Sequence, residues 1–412
     1  VQTATADQIA SRLGTLAIEE PRLVVSGNFA TPHELLEVAV SALERCRLFV
    51  LNPQERWPLR DGVVTETPFI GPGARGHESV DYLPMRLSLV PRLFRSIRRP
   101  DIVLIHTSAP RGGRVSLGIE VNIIPAAIEA VCRGGGLVIA QVNPQMPYLA
   151  GDAEIELDLV DLALEVDRPL PSPSARPPDD VATAIGSLVA DLAEDGCTVQ
   201  SGIGQIPDAA LGEMRALRGL GIWSEMVSDG VMELEHAGAL DDARLLTSTF
   251  LFGSEELYAW ARDHPRLFML RTETVNDPAR IAAQPAMVSI NTALQVDLFA
   301  QANASFVRGS IYSGFGGQPD FVTGALHSPG GHAVIALRSW HEKTNSSNVV
   351  PILDVPVSSF QHSAFVTEHG RAVTFGHSQR EQAAALIEHA ADPRARADLL
   401  EAAGSLGLLS ER

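Results

Sequence analysis

Residues 312–324 read YSGFGGQPDFVTG, four glycines with a glutamine and an aspartate between two strand-like runs. Glycines at that density let a backbone approach a ligand closely and aim its N–H groups at it. An ordinary turn between strands accounts for the same residues. About ninety residues earlier, GIWSEMVSDG at 221–230 sets Glu225 among small and apolar neighbours, just after a strand-like stretch at 220–223. A carboxylate so placed can attack an activated carbonyl, and N–H groups such as those of Gly316 and Gly317, or the side-chain amide of Gln318, can hold the resulting oxyanion. The competing reading makes Glu225 part of a Ser-Glu turn that caps the next helix, and Gln318 a brace for its loop.

Three further loops have the form of ligand contacts. SGIGQIP at 201–207 follows an apolar run and precedes a helix expected from near Pro207, so Gly202 to Ile206 form a glycine-rich turn that presents helix-terminal N–H groups to an anion. VNPQMP at 142–147 holds Asn143 and Gln145 in a stiff loop after a strand, and its prolines equally explain a plain turn. Ser26-Gly27-Asn28 and the stretch 69–73 are similar candidates for contact with the reacting end of a ligand.

The elements that must position these loops alternate. Residues 23–26 predict a strand, 33–45 a helix, 101–107 a strand, 121–132 a helix and 136–142 a strand, the pattern of a mostly parallel sheet covered by helices. DRPLPSPSARPPDD at 167–180 carries five prolines and reads as a linker. After it the order strand, Ser-Gly, small loop, proline, helix recurs: LVVSGNFATPHELLEVA is followed by CTVQSGIGQIPDAALGEM. The expectation is an α/β protein with two open, mostly parallel-sheet domains related by an internal repeat, 1–175 and 176–412, the second carrying Glu225.

Composition removes several classes of function. A formal charge of −18 disfavours nucleic acid and anionic membranes, and the basic run RLFRSIRR at 92–99 is short enough to be a solvated helix face. Cys46, Cys132 and Cys197 form no CxxC pair, so reduced, buried thiols of a cytoplasmic protein are expected. No stretch suits a bilayer span, and the first thirty residues lack a secretory pattern. Twelve histidines show no metal-ligand spacing, which predicts no metal site.

In order and spacing, VSGNFATPHELL from Val25, DYLPMRLSLVPRLFR from Asp81, SLGIEVN from Ser116, VNPQMP, SGIGQIPDAAL, the two segments above, and VVPIL with VTEHG resemble the acetyl-CoA hydrolase/transferase group of class I coenzyme A transferases. The branch containing 4-hydroxybutyrate CoA-transferase is the most similar. The resemblance implies two domains of the CoA-transferase fold with a cleft site, Glu225 as the catalytic glutamate, and CoA contacts at Gly202, Ile203, Gly204, Gln205, Ile206, Leu294 and Gly317. It also puts the loop of Asn143 and Gln145 at the acyl side, with Ser26 and Asn28 as weaker candidates. Implied partners are acyl-CoA and small carboxylates, with coenzyme A as a substrate, no permanently bound cofactor, and a homodimer.

The chain departs from that pattern at two cationic positions. Ser347-Asn348 stands where Ser-Arg is usual, 358–362 reads SSFQH without the customary arginine, and Glu-Tyr-Gly is replaced by Glu368-His369-Gly370. Lys343 and Arg338 are the nearby substitutes. The leading expectation is exchange of CoA between short acids; the alternatives are an acyl-CoA hydrolase and a catalytically silent CoA-binding protein. A nicotinamide dehydrogenase fails for want of a full GxGxxG fingerprint.

Overall fold

Apolar and β-branched runs in the first half of the chain become one parallel sheet. In the computed structural model, which describes residues 2–173 and 177–409, its strands are β1 (Gln2–Thr3), β2 (Arg22–Val25), β3 (Cys46–Phe49), β4 (Val63–Thr67), β5 (Val80–Tyr82), β6 (Ile102–Thr107), β7 (Leu137–Val142) and β8 (Leu162–Glu165). They lie in the order β1-β8-β7-β6-β2-β3-β4-β5, and each neighbouring pair is parallel. Every residue of β6 and β7 is buried. That is why they read as unbroken apolar runs rather than as alternation.

The helices of this half are α1 (Ala6–Gly14), α2 (His33–Ala42), α3 (Val90–Phe94) and α4 (Ile124–Gly134). Thr5 and Gln8 close a capping box on α1. Two boundaries differ from the sequence expectation for local reasons. Helix α2 stops at Ala42 because Leu43 is already extended and feeds β3. Helix α4 starts late because Asn122 sits at φ +33° and Pro125 occupies the first turn.

Val1–Ser174, Leu245–Asn276 and Tyr312–Gly316 form the first of two compact units; Ala175–Arg244, Asp277–Ile311 and Gly317–Arg412 form the second. Residues 174–176 of the proline-rich linker lie outside the described residues. The second unit is built on β9 (Thr198–Ser201), β10 (Gly221–Trp223), β11 (Met287–Thr292), β12 (His332–Ala336), β13 (Ala364–Thr367) and β14 (Gly370–Val373), ordered β14-β13-β12-β11-β9-β10. All of these pairs are parallel except β13–β14. Its helices include α5 (Asp180–Ala190), α6 (Gln205–Glu213), α7 (Asp229–His236) and α8 (Gln318–His327). Helices α5 and α6 pack closely at Gly186, where a Cβ would fall 2.6 Å from the Ala209 methyl.

Each unit thus has a strand that ends on Ser-Gly and turns toward a helix, β2 to α2 and β9 to α6. The two turns are packed differently. A Cβ on Gly27 would meet the Leu51 carbonyl at 2.1 Å, whereas the nearest atom to one on Gly202 is 3.6 Å away. No helix among the described residues is long and apolar enough to cross a membrane.

Candidate active site

Glu225 is half-buried, two residues past the end of β10. It does not cap the next helix: the N-cap of α7 is Ser228, whose hydroxyl donates to Asp208 Oδ1 at 3.3 Å. Ser224 Oγ donates to the Ser201 carbonyl at 3.3 Å, so the chain before Glu225 stays beside the end of β9. There Gly202 N–H bonds to the Ile290 carbonyl of β11 at 3.1 Å. Thr292, the last residue of β11, accepts from Gln318 Nε2 at 3.4 Å. The carboxyl ends of three adjacent parallel strands therefore gather Glu225, the 202–206 turn and Gln318, the end at which open α/β sheets bind ligands.

The turn itself is open. Gly204 has φ +125° and nothing within 4 Å of the place a Cβ would take, and it caps α6 without any side-chain bond. Helix α6 starts at Gln205, two residues before the expected Pro207, with Gln205 Nε2 held by the Pro177 carbonyl at 2.8 Å. Leu294 is half-buried rather than core, its N–H bonded to the Asn303 carbonyl at 2.8 Å. Asp208, in the first turn of α6, is pushed up to about 6 by burial, against the Ser228 bond.

The Gly-rich segment is only partly a loop. Gly317 is the N-cap of α8 at φ −88°, a conformation open to any residue, and Pro319 lies in the first turn. Gly314 at φ +144° and Gly316 at φ +54° are the conformationally special glycines. The N–H groups of Gly316 and Gly317 donate to no acceptor among the described residues.

In the first unit Ser26 is buried, and its hydroxyl has no hydrogen-bond partner among the described residues. Asn28, at φ +48°, donates to Glu120 Oε2 at 2.7 Å and accepts from Asn52 Nδ2 at 2.6 Å. Asn143 is spent on its own loop: its amide reaches the Arg168 carbonyl at 2.8 Å and lies 3.2 Å from His106 Nε2. Gln145 donates to Asp167 Oδ1 at 2.7 Å. Asn143 is buried, whereas Gln145 is exposed.

The acetyl-CoA hydrolase/transferase N-terminal domain matches residues 73–171 and the C-terminal domain of the same family matches 253–403. The 4-hydroxybutyrate coenzyme A transferase of Clostridium kluyveri is 39% identical over 332 residues, 78% of this chain and 76% of that one. The chain belongs to the acetyl-CoA hydrolase/transferase family. A succinyl-CoA:acetate/propanoyl-CoA:succinate CoA transferase of Fasciola hepatica is 35% identical over 92% of this chain and 84% of its own length. The crystal structure of RipA from Yersinia pestis superposes with a TM-score of 0.91 at 28% identity, covering 99% of this chain and 98% of that one.

The departures from the family pattern have structural roles here. Asn348 donates to the Arg338 carbonyl at 2.9 Å, and Phe360 is pinned through Gln301 by bonds of 2.9 and 3.2 Å. Arg338 is no free substitute cation, since it makes two 2.8 Å bonds to Asp179. Lys343, the only lysine of the chain, is exposed between the paired segments Trp340–His341 and Ser346–Ser347. Glu368, His369 and Asp392 bring three ligand atoms within 4.8 Å of one another, but Glu368 accepts from Ser339 and Asp392 pairs with Arg394.

Two buried polar groups escaped the sequence reading. One is the row Gln200, Ser289 and Asn291 on β9 and β11, linked by bonds of 2.5 and 2.8 Å. The other is Glu120, held by Asn28 and by Asn122 at 2.9 Å, with Thr249 bonded to Asn122 at 2.6 Å. The polar residues of CTVQS and SLGIEVN alone do not reveal such groups; the signal available was the run VSINT, whose polar residues alternate within an otherwise apolar strand.

Proposed function

We propose that the chain is an acyl-CoA:carboxylate CoA-transferase that works through a glutamyl-CoA thioester at Glu225. The observation that carries this reading is the position of Glu225 beside the open 202–206 turn, at the carboxyl ends of β10, β9 and β11. The carboxylate attacks the thioester carbonyl, CoA leaves as thiolate, and an acyl-glutamyl anhydride forms. The thiolate then attacks the glutamyl carbonyl and releases the donor acid, leaving glutamyl-CoA. The acceptor carboxylate repeats both steps in reverse and regenerates Glu225. Each tetrahedral oxyanion takes donors from the Gly316 and Gly317 N–H groups, one such donor being worth about 3 kcal/mol of barrier. Gln318 braces the site through the Thr292 carbonyl.

Coenzyme A enters as part of the substrate, its tail along Gly202 to Ile206, Leu294 and Gly317. Binding energy from that remote tail drives the reacting carbon onto Glu225. The relatives support acetate and four-carbon acids as the acyl range. The 176–412 domain carries the nucleophile, and Ser26 and Asn28 serve the acyl end. The three cysteines are free, Cys46 and Cys197 buried and Cys132 exposed rather than buried as expected, which supports a reducing, cytoplasmic setting. A hydrolase is the second reading, because the family spans both activities and only exclusion of water separates them.

The test is to incubate acetyl-CoA and butyryl-CoA with a panel of carboxylates and resolve the products by mass spectrometry. New acyl-CoA esters that depend on the acceptor are expected. With Arg338 committed to Asp179, succinate should show a kcat/KM at least about tenfold below the best monocarboxylate, because its second charge lacks a partner. Acceptor-independent release of free CoA as the main reaction would establish the hydrolase instead.

A further inference from the structure

The Gly-rich loop is held by residues 68–87 of the same unit. Ile70 N–H donates to the Ser313 carbonyl at 2.6 Å, and Leu87 N–H to the Gly316 carbonyl at 3.3 Å. A Cβ on Gly314 would fall 2.6 Å from the Pro68 carbonyl and 3.3 Å from the Tyr82 ring; one on Gly316 would fall 3.3 Å from two atoms of the Phe69 ring. Arg75 bonds the Tyr312 carbonyl and phenol at 3.1 Å each and lies 4.0 Å over its ring. Phe69 is itself fixed, since buried Thr67 donates to its carbonyl at 2.7 Å and accepts its N–H at 3.1 Å.

The direction of these contacts matters. In a trans peptide the carbonyl and the next N–H point opposite ways, so the Leu87 bond that draws the Gly316 carbonyl one way aims the Gly317 N–H the other. The Tyr82 phenol, pushed up to about 12 by burial, stays neutral, and the Phe315 amide acts on it in the opposite sense. The Leu87 bond on one side, and the Pro68 carbonyl and Tyr82 ring against Gly314 on the other, thus flank the Gly316 N–H.

We propose that Phe69 and Tyr82 are positioning residues for the transfer reaction, which set the orientation of the Gly316 and Gly317 N–H groups from behind the loop. This inference rests on the reading of those groups as oxyanion donors to a reaction at Glu225. It revises the expectation that the 69–73 stretch contacts the acyl group.

The test compares Tyr82→Leu, Phe69→Leu and Phe69→Tyr in the full chain. Tyr82→Leu, which removes the ring packed against Gly314, and Phe69→Leu should lower kcat for CoA transfer about 10- to 100-fold, the scale of one misplaced donor. KM for acetyl-CoA and Kd for free CoA should change by less than about threefold, since the oxyanion donors act in the transition state. Phe69→Tyr keeps the ring and should restore most of kcat. A kcat within about threefold of wild type in both Tyr82→Leu and Phe69→Leu, or a loss confined to KM, would overturn the proposal. Should Phe69→Leu fail to fold, Tyr82→Leu decides alone. Trapping of glutamyl-CoA in the wild type separates the two levels: no adduct at Glu225 removes the reaction and this proposal together, whereas an adduct with unimpaired variants removes the proposal only.

Discussion

Replacing Gly316 by alanine strains the backbone between the two proposed oxyanion donors. Gly316 lies at φ +54°, where an L-residue costs about 1 kcal/mol, and its Cβ would press on the Phe69 ring at 3.3 Å. The ring can yield by a few tenths of an ångström, so the fold should survive with about 1–2 kcal/mol less stability. The loop relieves that strain most easily by rotating the peptides on either side of residue 316, which carry the two N–H groups. Loss of one oriented donor is worth about 3 kcal/mol, or a kcat about 100-fold lower, with KM for acyl-CoA nearly unchanged. Gly317→Ala is the internal control: at φ −88° it carries no backbone strain, so a defect that comes from contact with the CoA ester appears in KM as well. Steady-state kinetics on both variants, with chemical denaturation to measure folding, is the assay. A Gly316→Ala enzyme with wild-type kcat would refute the assignment of the loop as an oxyanion site.

Two other perturbations follow from the buried carboxylates. Asp208 has its folded value raised to about 6 by burial, so its contribution is fully present below the ordinary carboxylate range and is lost as pH rises through about 6; between pH 4 and 7 that amounts to roughly 1–3 kcal/mol. Asp208→Asn should flatten this part of the stability–pH profile, measured by urea unfolding, and an unchanged slope would show that Asp208 is solvated. Glu66 is fully buried and pairs with Arg22 at 2.8 Å, Arg47 at 3.2 Å and Arg98. Although burial opposes ionisation, the Arg22 bond and the neighbouring guanidinium groups hold its carboxyl below the usual range. Glu66→Gln should cost about 3 kcal/mol by leaving three guanidinium groups without their shared anion, and a loss under about 1 kcal/mol in denaturant titration would contradict that pairing.

Much of the sheet architecture was legible because strands buried on both faces cannot alternate in polarity, as β6 and β7 show. The place of Glu225 after a strand end was legible from the strand-like stretch before it, whereas its candidacy as the nucleophile came from the family resemblance. The Gly-rich segment was misread as a loop throughout, although Pro319 suits a first helical turn and Phe321, Val322 and Ala325 form the buried face of α8. The Thr249–Asn122 bond spans 127 residues, and no local propensity announces it. Nor does composition mark Leu245–Asn276 or Tyr312–Gly316 as belonging with the first unit. Those memberships come from long-range contacts such as Ile70 with Ser313 and Val121 with Thr249, which patterning of a single segment does not encode.

The central claim is that Glu225 becomes covalently bound to CoA. The direct measurement is to incubate the wild-type chain with acetyl-CoA in the absence of an acceptor, reduce with borohydride, and map the modified peptide by mass spectrometry, with Glu225→Gln in parallel. The account predicts a reduced glutamyl site at Glu225 in the wild type, and neither modification nor CoA exchange in the glutamine variant. Modification at another residue, or exchange near the wild-type rate in Glu225→Gln, would contradict it.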